Sequence, residues 1–445
     1  MTERPTQRTI LKFWAPLAAT WLMMAVEGPY LAAIIARMVD PKFNLAAHGV
    51  AYAFALLIEA PVIMLMSATT ALVQDGESFR KMRNFQRALG VGTTALLLLV
   101  VVPPVHRFLT LDVVGLPREV AGLTYGALWL FLPWPAAIGY RRFYQGVLIR
   151  SGRTRLVAYG TIIRMVSMSM AALVGFLWLH IPGAWVSAMA LSTGVTAEAV
   201  AARLMAARSV RELVSGPPSP DPETADLSYR DIAHFYYPLA LTSLIGLTVQ
   251  PMLTFFMGRS VAPVESLAVF PVVESVSFVF RSVGLAFQDT AIALMGPRHG
   301  HLPELRRFAT GLGLAASAGI ALVAFTPLSI VWFQWMSGLT PQLAAYALTP
   351  TRILAPLPAL TVLLSLQRSV LVTARRTRPI TVATATEVTF IALSFMVMGF
   401  GLGVVGVTAA FSAFVVGRVA SNSFLWTRVR RVLHDPMPPS RSRVD

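Results

Sequence analysis

The chain has 445 residues, of which 56% are apolar and 13% charged, against roughly 25% charged in a soluble domain. With a mean hydropathy of +0.65, this composition excludes a soluble globule and points to a polytopic membrane protein, each span of which needs about 20 mostly apolar residues. Lys and Arg number 37 and Asp and Glu 21, a net charge of +16. In a bilayer protein that excess belongs to cytoplasmic loops rather than to a nucleic-acid partner. Cys is absent, which removes disulfides and thiolate-bound zinc or iron–sulfur sites.

In chain order, apolar runs between Gly, Pro and charge clusters predict twelve helices. They fall at 13–36, 46–74, 88–105, 120–149, 156–181, 183–202, 231–258, 264–296, 308–333, 343–373, 379–400 and 404–427. The first follows Arg4, Arg8 and Lys12 and has no small-residue cleavage site after it, so it reads as a retained helix rather than a signal peptide. The N-terminus, the loops after even-numbered helices and the C-terminus hold 25 of the Lys and Arg, and the opposite loops hold five. That asymmetry predicts both termini in the cytoplasm, in a plasma (bacterial inner) membrane. The remaining seven lie inside spans: Arg141, Arg142, Arg164, Arg281, Arg352, Arg368 and Arg418.

The chain repeats once, at half its length. Phe13-Trp14-Ala15-Pro16-Leu17-Ala18-Ala19-Thr20 matches Phe235-Tyr236-Tyr237-Pro238-Leu239-Ala240-Leu241-Thr242, and Pro29 falls on Pro251. At a spacing of 223 residues, Phe85 pairs with Phe308, Gly90 with Gly313, Pro133 with Pro356, Pro135 with Pro358, Gly183 with Gly406 and Gly194 with Gly417. Six spans in each half give parallel repeats about an axis along the membrane normal. The expected division is an N-terminal six-helix lobe at 1–207, a polar, Pro-rich cytoplasmic linker at 208–229, a C-terminal six-helix lobe at 230–430 and a cytoplasmic tail at 431–445.

The Phe-x-x-Pro-Leu-Ala opening of the first and seventh helices, each with a later mid-helix Pro, resembles the multidrug-and-toxin-extrusion (MATE) group of the MOP flippase superfamily. The stretches Phe235–Arg259 and Pro350–Ala374 are most similar to its ANK (progressive ankylosis) family. The resemblance implies an all-α, MATE-like polytopic fold of twelve transmembrane helices in two pseudo-symmetric lobes. It also implies a transporter; ANK proteins are implicated in exporting anionic metabolites such as pyrophosphate, citrate or nucleotides.

Charged side chains inside spans cost about 3 kcal/mol each on insertion scales, so they face a cavity or a partner. Substrate-binding candidates are Arg141, Arg142, Arg164, Arg281 and Arg368, and charge-pair or coupling candidates are Glu27, Glu59, Glu274 and Glu387. Glu27 precedes Gly28-Pro29, where Pro removes an amide and should kink the helix, as Pro251 should in its mate. Arg141 and Arg142 point about 100° apart, so one faces a central cavity and the other finds its own partner. Glu387 is the repeat mate of Arg164 and pairs either with it or within its own lobe. An interior with Arg at least equal to its acids suits carboxylate or phosphate better than a lipophilic cation, unless Arg–Glu pairs neutralise it. Trp134, between two prolines, reads as packing. No Walker loop, nucleophile elbow or metal-ligand spacing is present, which disfavours an ATP-driven pump and an enzyme; no cofactor or metal is expected.

The expectation is a secondary transporter exporting a small anionic metabolite, coupled to a proton or monovalent cation and using alternating access. Its rivals are a flippase for a lipid-linked phosphorylated intermediate, a multidrug or cation antiporter, and a non-transporting membrane scaffold.

Overall fold

The chain opens with α1 (Gln7–Ile35). Proline suits a first helical turn, because its φ is preset and its missing N–H would find no partner there; it begins α2 (Pro41–Glu59). After α3 (Leu65–Leu72), α4 (Gly76–Val100) starts under a capping box: the Ser78 N–H donates to Asp75 Oδ1 at 2.8 Å and the Asp75 N–H to Ser78 Oγ at 3.0 Å. The first half continues with α5 (Pro103–Arg107), α6 (Arg118–Leu130), α7 (Trp134–Arg150), α8 (Thr154–Val174), α9 (Gly183–Met205) and α10 (Ala207–Ser215). The second half supplies α11 (Tyr229–Leu247), α12 (Val249–Met257), α13 (Pro263–Leu294), α14 (Leu302–Phe325), α15 (Pro341–Ile353), α16 (Leu357–Thr373), α17 (Arg378–Phe395) and α18 (Gly406–His434). The structure, a computed structural model, describes residues 4–35, 37–216, 227–337 and 339–434. Among them there is no strand, only an isolated bridge between Val261 and Val405.

Among the described residues, seven helical segments are long and apolar enough to cross a membrane, and up to ten if each of three bent pairs is one span. The chain is a multi-pass membrane protein. α9 and α18 stand where the sequence places the sixth and twelfth spans. The α6/α7 pair bends by 41° and the α15/α16 pair by 42°. Pro133 and Pro135 sit at the first bend and Pro356 and Pro358 at the second, where each ring removes an amide from the ladder. All four boundaries of the second pair lie 223 residues after those of the first. α11 and α12 part at Thr248, three residues before Pro251. α1 runs unbroken past Gly28, and the Pro29 side chain lies outside the described residues.

The fold divides into two compact units, Val26–Tyr236 and Met1–Ala25 with Tyr237–Asp445. The division passes inside α1 and α11, whereas the sequence places its lobes at 1–207 and 230–430; residues 217–226 of the expected linker and 435–445 of the expected tail lie outside the described residues. The opening turns of α1 belong with the second-half helices, where the Trp14 indole N–H donates to the Val283 carbonyl at 3.0 Å. The opening of α11 belongs with the first half, where the Tyr236 hydroxyl donates to the Pro61 carbonyl at 2.5 Å.

Within each unit, glycine sets how closely helices approach. A Cβ on Gly194 of α9 would stand 2.9 Å from Met168 Cβ and 3.1 Å from the Arg164 carbonyl of α8. Its mate Gly417 of α18 meets α17 the same way, 2.6 Å from Ile391 Cγ1 and 2.7 Å from the Glu387 carbonyl. Small residues at such contacts let backbones pack where lipid offers no hydrophobic drive. The second-half unit centres on buried Leu253, Met257, Phe270, Phe333, Phe395 and Phe411. Outward, Ile162, Val166, Met170 and Leu173 of α8 are exposed, as are Val382, Phe390 and Leu393 of α17; this is the apolar surface that acyl chains cover.

Candidate functional site

The first-half unit gathers its interior charges around Glu198 of α9. The close α8/α9 approach brings this carboxylate to α8, and it is fully buried. Arg141 of α7 donates Nη1 to Glu198 Oε2 at 2.6 Å; Gln145 Nε2 and Thr161 Oγ1 donate to Oε1 at 3.0 and 3.2 Å. Arg164 lies 3.7 Å from Oε2 through Nη1 and hydrogen-bonds Glu27 through Nη2. Two carboxylates thus meet two guanidinium groups, and hydrogen bonds take up both oxygens of Glu198. Mutual pairing of this kind offsets part of the cost of burying the charges, although Glu27 Oε1 and Arg164 Nε make no hydrogen bond among the described residues.

Beside this node, Glu59 at the end of α2 accepts the Trp134 indole N–H, so Trp134 is more than packing. Tyr52 lies edge-on to Trp134 with ring centroids 6.3 Å apart and stacks on His48, whose Nδ1 is 2.7 Å from Ser187 Oγ. Arg142, the next residue of α7, brings Nη1 to 3.9 Å from Met66 Sδ. Adjacent helical residues diverge in this manner, and here it is Arg141 that finds the carboxylate.

The second-half unit distributes its charges differently. Arg281 donates to Glu274 Oε1 at 2.6 Å, one helix bearing both residues two turns apart. Arg418 of α18 donates Nε to Glu387 Oε1 at 2.8 Å and Nη1 to Thr361 Oγ1 at 2.9 Å. Both guanidinium groups lie over the Phe414 ring, at 5.1 and 5.6 Å from its centroid, a cation–π contact that joins the two ion pairs. Arg368 of α16 has a different environment. Its Nη2 donates to Thr384 Oγ1 at 2.9 Å, and among the described residues no carboxylate lies within ion-pair distance of it.

Of the two pairings open to Glu387 and Arg164, each takes the one inside its own unit: Arg418 for the first, Glu27 and Glu198 for the second. Glu27, Glu274 and Glu387 all hold an arginine, and Glu59 a tryptophan. Sequence reasoning left Glu198, Gln145, Thr161 and Thr384 outside the candidate set. The signal that would have found them is the 223-residue repeat applied to polar residues, since it aligns Thr161 with Thr384 and Gln145 with Arg368. Among the described residues no group of three or more His, Asp or Glu is placed to hold a metal ion.

Three further features lie apart from the buried ion pairs. A cavity of about 410 Å³ opens between α4 and α7, lined by Gln86, Arg87, Val91, Thr94, Leu98 and Tyr140 among others. In the segment after α9, hydrogen bonds from Arg208 and Arg153 hold Glu212 below the usual carboxylate range. Burial pushes His299 below the usual imidazole range, against a hydrogen bond to the Val370 carbonyl.

No protein-family model matches the chain, and no curated protein does. Solved structures match it nearly end to end. A mutant of the MATE transporter VcmN of Vibrio cholerae superposes with a TM-score of 0.77 at 17% identity, covering 96% of this chain and 97% of that one. The fold is that of the MATE transporters. An outward-facing multidrug-resistance MATE family transporter gives 0.72 at 13% identity, with 98% of each chain covered. A MOP superfamily transporter from Pyrococcus furiosus gives 0.76 at 12% identity, with 97% of each covered; its binding pocket is described as having reverse polarity, suggesting a different function.

Proposed function

We propose that the protein is a secondary transporter that exports a small anion bearing carboxylate or phosphate by alternating access between two six-helix lobes. In this reading twelve helices span a bacterial inner membrane with both termini in the cytoplasm. The observation that carries it is Arg368. The first-half unit balances Arg141, Arg142 and Arg164 against Glu27, Glu59 and Glu198, whereas the mid-span charges of the second-half unit are Arg281, Arg368 and Arg418 against Glu274 and Glu387. Among these residues one guanidinium is left over, and Arg368 is the one that has no glutamate partner among the described residues. A half-buried guanidinium without an ion-paired acid repels lipophilic cations and supplies a fork for carboxylate or phosphate.

Support also comes from the MATE fold, from the ANK resemblance of Phe235–Arg259 and Pro350–Ala374, and from the reversed pocket polarity described for the Pyrococcus furiosus protein. Glu27 is the coupling residue of the proposal. Protonating it removes the charge that Arg164 holds and leaves Arg164 to Glu198, which changes the hold on α1 beside Gly28-Pro29.

The test is transport in proteoliposomes of labelled citrate, labelled pyrophosphate and a cationic dye. The parent should move an anion and not the dye, Arg368→Gln should lose at least about tenfold, and Glu27→Gln should no longer respond to an imposed pH gradient. Dye transport that survives Arg368→Gln refutes the anion reading. The open cavity between α4 and α7 favours a second reading, flipping of a lipid-linked phosphorylated intermediate with its head at Arg87. Translocation of a fluorescent lipid diphosphate, read by quencher access, decides between them.

A further inference from the structure

The two halves of the chain build the same node with opposite content. In the first half Glu198 receives Gln145 Nε2 and Thr161 Oγ1 on one carboxylate oxygen. At the 223-residue spacing the mates of Gln145, Thr161 and Glu198 are Arg368, Thr384 and Ser421. The helices that carry them correspond throughout. α16 and α7 have equivalent bounds, Gly417 packs on α17 as Gly194 packs on α8, and α16 and α18 are tied by Gln367 Nε2 donating to the Asn422 carbonyl at 3.2 Å.

In the second half, therefore, a serine stands where the first half has its central acid, and a guanidinium stands where the first half has an amide. Ser421 is fully buried and its Oγ has no hydrogen-bond partner among the described residues; the Arg368 side chain is half-buried, and its Nε, like that of Arg141, Arg164 and Arg281, makes no hydrogen bond there. Arg418 and Glu387 neutralise one another nearby and leave Arg368 its charge. A buried polar group without a partner costs about 1–3 kcal/mol. A buried, unpartnered hydroxyl at the mate of Glu198, beside a guanidinium at the mate of Gln145 with no ion-pair partner among the described residues, describes a carboxylate site lacking its carboxylate.

We propose that Arg368, Thr384 and Ser421 bind the carboxylate group of a small organic acid, in the place that the Glu198 side chain fills in the first half. Going from Glu198 to Ser421 removes a –CH2–COO⁻ head, so the ligand's binding group is one planar carboxylate: two oxygens for the Arg368 fork and the Ser421 hydroxyl. A tetrahedral phosphate is larger and carries more charge than this single guanidinium matches. The inference deepens the anion reading above and rests on it for the ligand's route, but binding is measurable without transport.

The experiment is thermal unfolding of the purified full chain in detergent with added sodium formate or acetate, against sodium chloride and sodium phosphate at equal ionic strength. Formate and acetate should raise the parent's midpoint by at least about 3 °C at saturation, and chloride and phosphate should not. Arg368→Gln should lose the shift. Ser421→Glu, which supplies the missing acid covalently, should lose it too and should unfold above the parent without any ligand. A formate shift of equal size in Arg368→Gln and the parent overturns the site, as does a phosphate shift equal to that of formate. Anion transport in the same preparations separates the two proposals. A parent that binds formate but moves no anion refutes the transport reading alone, and anion transport with no formate shift refutes the site alone.

Discussion

Replacing Glu198 by Ala tests whether the first-half node is a folding requirement. The substitution removes the acceptor of three hydrogen bonds, from Arg141 at 2.6 Å, Gln145 at 3.0 Å and Thr161 at 3.2 Å, and the second carboxylate near Arg164. Arg164 keeps Glu27, so the uncompensated charge is Arg141, whose side chain is 2% exposed. Breaking a buried ion pair by removing one partner costs about 3–5 kcal/mol. An arginine at mid-span costs about 2.5–3.5 kcal/mol on insertion scales. Both estimates give a loss near 3 kcal/mol, or roughly 6–12 °C in midpoint for a unit of this size. Glu198→Gln retains the shape and part of the hydrogen bonding and should lose about half as much. Arg141→Met combined with Glu198→Met removes both charges and should recover most of the loss, because well-packed apolar replacements of a buried pair are often neutral. Thermal unfolding in detergent reads all four proteins. Glu198→Ala melting within about 2 °C of the parent refutes the reasoning, and so does a double variant no better than Glu198→Ala.

Gly417→Ala should destabilise by about 1–3 kcal/mol, and by more than Gly194→Ala, because its Cβ meets the fixed Glu387 carbonyl at 2.7 Å. Gly92→Ala, with nothing within 4 Å, is the control and should be neutral or stabilising by about 0.5–1 kcal/mol; midpoints of the three rank the close approaches. Glu212, whose folded pKa is depressed, ties α10 to Arg153 and Arg208. Its contribution is present above the unfolded carboxylate value and is lost as pH falls through the folded one, so a spin label at Ser215 should gain mobility in acid and should already be mobile at neutral pH in Glu212→Gln. His299 is held neutral by burial, so its contribution is full above about pH 6.5 and declines as pH falls below it. His299→Gln should flatten the midpoint-against-pH curve between roughly pH 7 and 5.

The architecture was largely legible in the sequence. Span-length apolar runs, prolines at helix starts and bends, and a constant 223-residue spacing are local or periodic signals, and the paired 41° and 42° bends repeat at that spacing. The division of α1 and α11 between units was not legible, because it depends on which neighbours a continuous helix packs against and not on its own composition. The repeat also carried more than was first read from it. Glycines and prolines revealed it, yet its mated polar residues are what define the candidate site.

The sequence by itself determined which charged residues fall within long apolar stretches, since hydropathy and spacing suffice for that. It could not assign their partners. Arg141 and Arg142 are adjacent on one helix and chemically identical, yet one meets Glu198 and the other Met66. Glu387 takes an arginine 31 residues away, and Arg164 reaches a glutamate 137 residues away. Pairing depends on helix rotation and on approaches of a few ångströms set by glycine contacts, and only the tertiary structure fixes those. Among the described residues it gives Arg141, Arg164, Arg281 and Arg418 a glutamate within their own unit and gives Arg368 a threonine.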